Sequence, residues 1–202
     1  MDHSAQQHAG RSHEKMREVL MHPDAPGPAI HYHMIRGGSG ARNITVWQPG
    51  TVGAEYIKTY GHYHVGALDE VYWTLQGEGV AIIQKRAEGA DGPIDDEIED
   101  AYAVHVRPGD ALYMPPGWGH LVVNVGPTFF VTADDSPVDF GESDGVSLPG
   151  HADYEPVRRM RGFAYYVVDE AGKPRLVPNP LYRRAPDIRI IAAADYPLKR
   201  ES

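Results

Sequence analysis

The 202-residue chain contains no cysteine, which excludes a disulfide framework and a thiolate metal site. It is also poor in positive charge: 19 basic residues against 28 acidic ones give a net charge of −9. This balance argues against nucleic acid or an anionic membrane surface as the main partner, although local dipoles can still hold a small anion. No apolar run is long enough to span a bilayer, and the polar stretch 1–21 lacks the apolar core of a signal peptide. We therefore expect a cytoplasmic protein with no membrane partner.

Hydrophobic residues make up 42% of the chain, enough for one well-buried core. The segment 1–30 is typical of an arm with one short helix, which Ser12 caps and Pro23 ends. From residue 31 onward, short β-branched and aromatic stretches alternate with glycine and proline turns, as in an all-β sandwich or small barrel. We predict a short N-terminal helical arm over 1–30, a single barrel domain over 31–183 and a C-terminal extension over 184–202.

Two polar stretches interrupt the β pattern. We interpret the acidic stretch 91–100 as a solvated turn, and 134–149, rich in Asp, Gly, Ser and Pro, as a mobile surface loop or a lid. After them, the sequence predicts a turn of helix over 154–161 and a hairpin over 163–177.

Three histidines and one glutamate form the most specific constellation in the chain: His62, His64, Glu70 and His120. Because His62 and His64 are two residues apart, their imidazoles share one face of a strand. Glu70 lies on the returning segment, and His120 follows a Pro-Pro-Gly turn that a barrel can place beside the first hairpin. Three imidazoles and a carboxylate suit iron, manganese, nickel, cobalt or zinc, and leave coordination positions open for a substrate.

A His-x-His pair alone is weak evidence in a chain with eleven histidines. The pair His31 and His33 has neither a companion carboxylate nor a second motif, so we assign it no ligand role. The pair His62 and His64 is supported by the stretch 109–124, which reads Gly-x5-Pro-x-Gly-x2-His-x3-Asn. This stretch matches the second cupin motif at every defined position, so the chain resembles a cupin.

Within the cupins, the chain most resembles the cupin-type phosphoglucose isomerases, an archaeal and occasionally bacterial family. The resemblance covers about residues 30–183 and includes the long interval between His64 and Glu70. The chain departs from the general cupin motif at Tyr56, where a glycine is usual. It also has Asp134 and Asp135 near the place where the family carries a tyrosine after the second hairpin.

This resemblance implies a double-stranded β-helix, a homodimer, and interconversion of glucose 6-phosphate and fructose 6-phosphate in glycolysis and gluconeogenesis. It implies one divalent metal ion per chain, iron first, with manganese, nickel, zinc and cobalt as alternatives. The implied metal ligands are His62, His64, Glu70 and His120. Glu70 and Tyr72 are the implied catalytic residues. The residues implied to line the sugar-phosphate pocket are Thr45, Thr59, Gly61, Tyr72 and Tyr154.

Two mechanisms are compatible with this set of residues. Glu70 could move a proton between C1 and C2 through a cis-enediol, although a carboxylate bound to a cation is a weaker base. A metal-assisted hydride shift needs no base. The rival functions are isomerisation of another phosphosugar, a metal-dependent cupin oxygenase and a non-catalytic sugar-binding cupin. Hydroxyl groups at Thr45, Thr59 and Tyr72 favour a polar ligand over an oxygenase pocket.

Overall fold

The computed structural model describes residues 7–37, 42–137 and 152–200 of the protein. Within these ranges the chain is mostly β, with two six-stranded sheets and one four-stranded sheet.

Eight strands build a barrel: β3 (Asn43–Trp47), β6 (His62–His64), β7 (Glu70–Gln76), β8 (Gly79–Gly89), β9 (Gly92–Val106), β10 (Ala111–Met114), β11 (Trp118–Asn124) and β12 (Phe130–Asp134). The other strands are β1 (Gln7–Ser12), β2 (Ile30–Arg36), β4 (Thr51–Val52), β5 (Glu55–Tyr56), β13 (Ala152–Asp153), β14 (Tyr165–Glu170), β15 (Lys173–Pro178) and β16 (Ile190–Ala192). The helices are α1 (His13–Met16), α2 (Glu155–Arg159) and a 3-10 turn (Ala193–Asp195).

The pairing of the barrel strands defines the fold. One sheet contains the order β3-β12-β7-β10 and the other contains β6-β11-β8-β9. The barrel strands therefore pair from the outside inward, the first with the last, the second with the second last, and so on. The antiparallel pairs are β3 with β12, β6 with β11, β7 with β10 and β8 with β9. A long hairpin wound on itself in this way is a jelly roll, or double-stranded β-helix. The predicted all-β, double-stranded β-helix is confirmed.

One hydrophobic core fills the barrel. The fully buried Trp47 on β3 lies with its ring centroid 5.1 Å from that of Phe130 on β12 and 6.2 Å from that of Tyr32 on β2. All seven residues of β11 are buried, and this strand lies between β6 and β8 within its sheet. This buried strand carries His120.

The N-terminal segment packs onto the barrel. The predicted helix forms as α1, where the Ser12 hydroxyl accepts a hydrogen bond from the Lys15 backbone N–H at 3.2 Å, so that prediction is confirmed. Before it, β1 extends the first sheet by pairing with β2, a strand that the sequence analysis did not predict.

A buried ion pair joins this segment to the barrel. Lys58 Nζ lies 2.5 Å from Glu55 Oε1, and both side chains are almost fully buried. Lys58 also donates to the Val19 carbonyl at 2.7 Å, and the Met21 N–H donates to Glu55 Oε2 at 2.7 Å. The pair therefore connects two points of the N-terminal segment to the strand region that precedes the predicted site.

The interpretation of 91–100 as a solvated turn was wrong. These residues form most of the first half of β9, which pairs with β8 in a long hairpin. The acidic side chains are accommodated by ion pairs, such as Asp95 with Arg86 at 2.5 Å. Ladder pairing thus outweighs the low strand propensity of aspartate and glutamate.

The C-terminal part agrees with the other local predictions. The predicted helix over 154–161 forms as α2 and the predicted hairpin forms as β14 and β15, so both are confirmed. Beyond residue 183, β16 pairs in parallel with β9. The loop prediction over 134–149 lies outside the described residues from 138 onward, and the domain boundaries at 30 and 183 stay predictions. Among the described residues, no helix has the length and apolarity that a membrane crossing requires.

Candidate metal centre

Four side chains from three strands converge at one point of the barrel. His62 and His64 come from β6, Glu70 is the first residue of β7, and His120 lies on β11 directly opposite His62 in the strand ladder. One possible ligand atom from each residue lies within 4.8 Å of all the others. The structure therefore brings together the four residues that the sequence singled out.

The four groups are packed closely. The ring centroid of His62 lies 4.5 Å from that of His120 and 5.3 Å from that of His64. Glu70 Oε2 lies 2.9 Å from His64 Nε2 and 3.7 Å from His120 Nε2. Three of the four residues are buried, with His62 at the partly exposed side.

A backbone contact fixes the orientation of His64. Its Nδ1 lies 3.1 Å from the Leu68 carbonyl oxygen, and because a carbonyl only accepts, Nδ1 carries the proton. In a neutral imidazole the lone pair is then on Nε2, which faces a Glu70 carboxylate oxygen 2.9 Å away. Two acceptors at this distance repel each other unless a proton or a cation lies between them. The donor set therefore fits a metal ion, and the hydrogen bond to the Leu68 carbonyl fixes the ring of His64 with Nε2 facing the site.

Glu70 is unusual among the carboxyl groups of the chain. Its burial, followed by the nearby charge of Asp134, raises the pKa of Glu70 to about 7, against the opposing effect of the nearby His64. A carboxyl group with a pKa near neutrality is suited to proton transfer.

A cavity adjoins the cluster, and His62 and His120 form part of its wall. All five residues predicted to contact the substrate line this cavity: Thr45, Thr59, Gly61, Tyr72 and Tyr154. The structure therefore places these five residues beside the cluster of three histidines and Glu70. Their individual roles stay predictions.

Gly61 and Thr59 lie on the short stretch that leads into β6. The backbone of Gly61 has a φ of +82°, and a Cβ there would lie 3.1 Å from atoms of both Leu121 and Phe163. Glycine is therefore favoured by conformation and by space, and the main chain reaches the cavity wall without a side chain. The Thr59 hydroxyl accepts from the Val122 N–H at 3.0 Å, which leaves its proton as a donor.

Two tyrosines face the histidines of the cluster. The ring centroid of Tyr72 lies 5.3 Å from that of His120, and the ring centroid of Tyr154 lies 5.4 Å from that of His62. Burial raises the pKa of both phenols above the ordinary value. Both side chains are therefore neutral hydrogen-bond donors at physiological pH.

The sequence analysis missed one strand of the cavity wall. Tyr32, Met34 and Arg36 alternate along β2 and all line the cavity. Arg36 Nη1 lies 3.3 Å from Oδ2 of the buried Asp134. The alternation of Tyr-x-Met-x-Arg was a visible signal, but it does not by itself show which face of the strand points inward.

An eight-stranded jelly roll with three imidazoles and one carboxylate gathered from β6, β7 and β11 defines a cupin with a candidate metal centre. A comparison of the sequence with protein-family models supports and narrows this class. The model described as glucose-6-phosphate isomerase (GPI) matches residues 31–179. The chain belongs to the glucose-6-phosphate isomerase family.

Several curated relatives carry the same name. Glucose-6-phosphate isomerase from Thermococcus gammatolerans is 35% identical over 137 residues, which are 67% of this chain and 61% of that protein. The protein of that name from Pyrococcus furiosus is 34% identical over 142 residues, 69% of this chain and 63% of that protein. The matched part thus spans about three fifths of the length of these relatives. Among solved structures, the Drosophila melanogaster CENP-C cupin domain is 13% identical with a TM-score of 0.38, over 58% of this chain and 79% of that one.

Proposed function

We propose that this chain interconverts glucose 6-phosphate and fructose 6-phosphate, an aldose–ketose isomerisation, at a divalent metal ion. The observation that carries the proposal is the convergence of His62, His64, Glu70 and His120 beside a cavity lined with hydroxyl groups. The names of the curated relatives support a sugar phosphate as the substrate.

The quartet would hold one divalent ion through three neutral nitrogens and one carboxylate. Iron is the first choice, and manganese, nickel, zinc or cobalt suit the same donors. When bound, the ion would supply a positive charge that polarises the carbonyl group of the substrate.

Glu70 is the candidate base. Its Oε2 faces His64 and His120, which leaves Oε1 as the atom to take the proton from C2 of the aldose and return it at C1. The intermediate would be a cis-enediol. Burial and the charge of Asp134 favour the protonated form of Glu70, whereas a bound cation would favour the carboxylate, so Glu70 in the loaded site would be the proton acceptor.

The neutral donors around the cavity would bind and orient the sugar. Tyr72, as a neutral phenol next to His120, would donate to an oxygen of the sugar near C1 and C2. Thr45, Thr59 and the Gly61 backbone would contact the phosphate oxygens, and Tyr154 would close the cavity beside His62.

The test is an assay of fructose 6-phosphate turnover, coupled to oxidation of the glucose 6-phosphate formed. We expect activity that disappears with a chelator and returns on addition of a divalent metal ion. His120→Ala should lower kcat/KM by more than about 100-fold, since even loss of a residue that only hydrogen-bonds to a metal ligand typically costs about 10–100-fold. The matched control is His105→Ala, a partly exposed histidine on β9 outside the cavity, which should retain full activity.

The rival functions predict different outcomes in the same experiment. An oxygenase would consume oxygen in an oxygen-electrode measurement, and an isomerase of another phosphosugar would turn over that sugar faster than fructose 6-phosphate. A binding module would bind sugar phosphate without turnover. Activity that survives complete metal removal would contradict the metal mechanism.

We also propose that the chain works as a cytoplasmic homodimer, on the resemblance described above. Light scattering in solution should then give a mass near twice 22.3 kDa. A monomeric mass at the concentration of the activity assay would overturn the dimer.

A further inference from the structure

Arg36 gives the cavity a permanent positive charge. Among the described residues that line the cavity, it is the one whose side chain is cationic at every physiological pH. It occupies the third of three alternating positions of β2 that face the cavity, after Tyr32 and Met34. Its side chain is 13% exposed, so it is largely removed from solvent.

A rigid carboxylate holds this guanidinium group in place. Asp134 Oδ1 accepts from Asn43 Nδ2 at 2.7 Å and from the Ser136 hydroxyl at 2.5 Å. Asp134 is therefore positioned without Arg36, and Arg36 approaches its second oxygen, Oδ2, at 3.3 Å. That separation is long for an arginine–carboxylate pair, which typically lies nearer 2.7–2.9 Å. Asp134 therefore orients the Arg36 guanidinium group in the cavity wall.

The charges near the cavity favour such a cation as the partner of an anionic substrate. Glu70 and Asp134 are both buried carboxyl groups in this region, and the threonine and tyrosine hydroxyls are neutral. A phosphate dianion that leaves water needs a positive partner, and the planar fork of arginine matches phosphate oxygens.

We propose that Arg36, held by Asp134, binds the phosphate group of the substrate and thereby selects phosphorylated sugars over neutral ones. This inference rests on the proposed function, because it assigns the phosphate end of the same cavity. Arg36 is then a specificity-determining residue, and the chemistry at C1 and C2 does not depend on it.

The experiment compares wild type, Arg36→Met and a control in the metal-loaded protein. Binding of inorganic phosphate and of fructose 6-phosphate is measured by calorimetry, and KM and kcat are measured separately. Arg36→Met should weaken phosphate binding and raise the KM for fructose 6-phosphate by about 10-fold to 100-fold, the range for loss of a charged hydrogen bond. The kcat should stay within about threefold of wild type, since the interaction is the same in ground and transition states.

Arg86→Met is the matched control. Arg86 has a similar exposure of 14% and also pairs with an aspartate, Asp95, but lies outside the cavity. The phosphate affinity of the Arg86→Met protein and its KM for fructose 6-phosphate should equal those of wild type. If Arg36→Met does not fold, the neutral pair Arg36→Gln with Asp134→Asn replaces it, because amide groups can keep a hydrogen bond there. The same loss of phosphate affinity is expected.

The outcomes separate this inference from the proposed function. A wild-type protein that binds and turns over no sugar phosphate overturns both. A wild-type protein that isomerises fructose 6-phosphate, with equal phosphate affinity in Arg36→Met, overturns the role of Arg36 alone. A fall in kcat with unchanged phosphate binding also overturns it, because that pattern belongs to a residue that only supports the structure.

Discussion

Replacement of Lys58 by methionine tests how the N-terminal segment is attached to the barrel. Lys58 Nζ lies 2.5 Å from Glu55 Oε1 and donates to the Val19 carbonyl at 2.7 Å. The substitution keeps most of the side-chain volume but removes the charge and both contacts. Glu55, which is fully buried, would then keep the Met21 N–H as a partner and lose its counter-charge.

The expected loss of stability in Lys58→Met follows from this arrangement. Removal of one partner of a buried ion pair destabilises a protein by about 3–5 kcal/mol, because the other charge stays buried without compensation. For a chain of this length, 1 kcal/mol corresponds to roughly 2–4 °C in Tm. Lys58→Met should therefore lower the Tm by about 6–20 °C. The double variant with Glu55→Leu removes both charges and should recover most of this loss, because a buried pair and an apolar pair of similar volume are often close in stability.

The assay is urea unfolding at pH 7 of wild type, both single variants and the double variant, which together form a thermodynamic cycle. The slope of each transition shows whether the whole molecule or only the N-terminal segment unfolds. A loss below about 1 kcal/mol in Lys58→Met would refute the reasoning, since that is the range of exposed ion pairs.

Four further predictions address the site and the pH dependence. Gly61→Ala should destabilise the protein by roughly 1–3 kcal/mol in urea unfolding and lower its activity, because the backbone there has a φ of +82°. A divalent metal ion at about 100 times its Kd should stabilise wild type by about 2.7 kcal/mol in thermal unfolding, and His64→Ala should lose this gain. Burial lowers the pKa of His31 from 6.5 to about 4, so its contribution to stability is present above pH 6.5 and is lost as the pH falls toward 4; His31→Gln should weaken that dependence in urea unfolding. Turnover in deuterated water should place deuterium in the product if Glu70 transfers the proton, and complete absence of exchange would contradict the enediol route.

The convergence of His62, His64, Glu70 and His120 could be predicted because its signals are local. The two histidines of β6 share a face by strand periodicity alone, and the turn before His120 carries a motif with fixed spacing. The family resemblance, and not strand periodicity or spacing, predicted that Thr45 and Tyr154 lie near these four residues. In the structure both line the same cavity as His62 and His120.

The features that the sequence analysis missed depend on contacts between distant segments. β9 begins in a stretch whose composition is that of a loop, and it becomes a strand because β8 offers a complete ladder. β1 forms because β2 provides an edge to pair with. The role of Arg36 in the cavity wall depends on which face of β2 turns inward, and that is decided by closure of the barrel.

The winding of the barrel also has a consequence for how the protein unfolds. The hairpin of β8 and β9 is local, whereas β6 and β11 meet only after the chain between them has folded back. In the unfolded chain, His62, His64 and Glu70 remain close along the sequence, but His120 lies at least fifty residues away. Such a chain would therefore lack a complete donor set and hold an ion only weakly. If the chain binds an ion at this site, the loaded protein would have to separate β6 from β11 or release the ion before it could unfold. Slow release of the ion would then lengthen the lifetime of the native state beyond what the equilibrium stability alone provides.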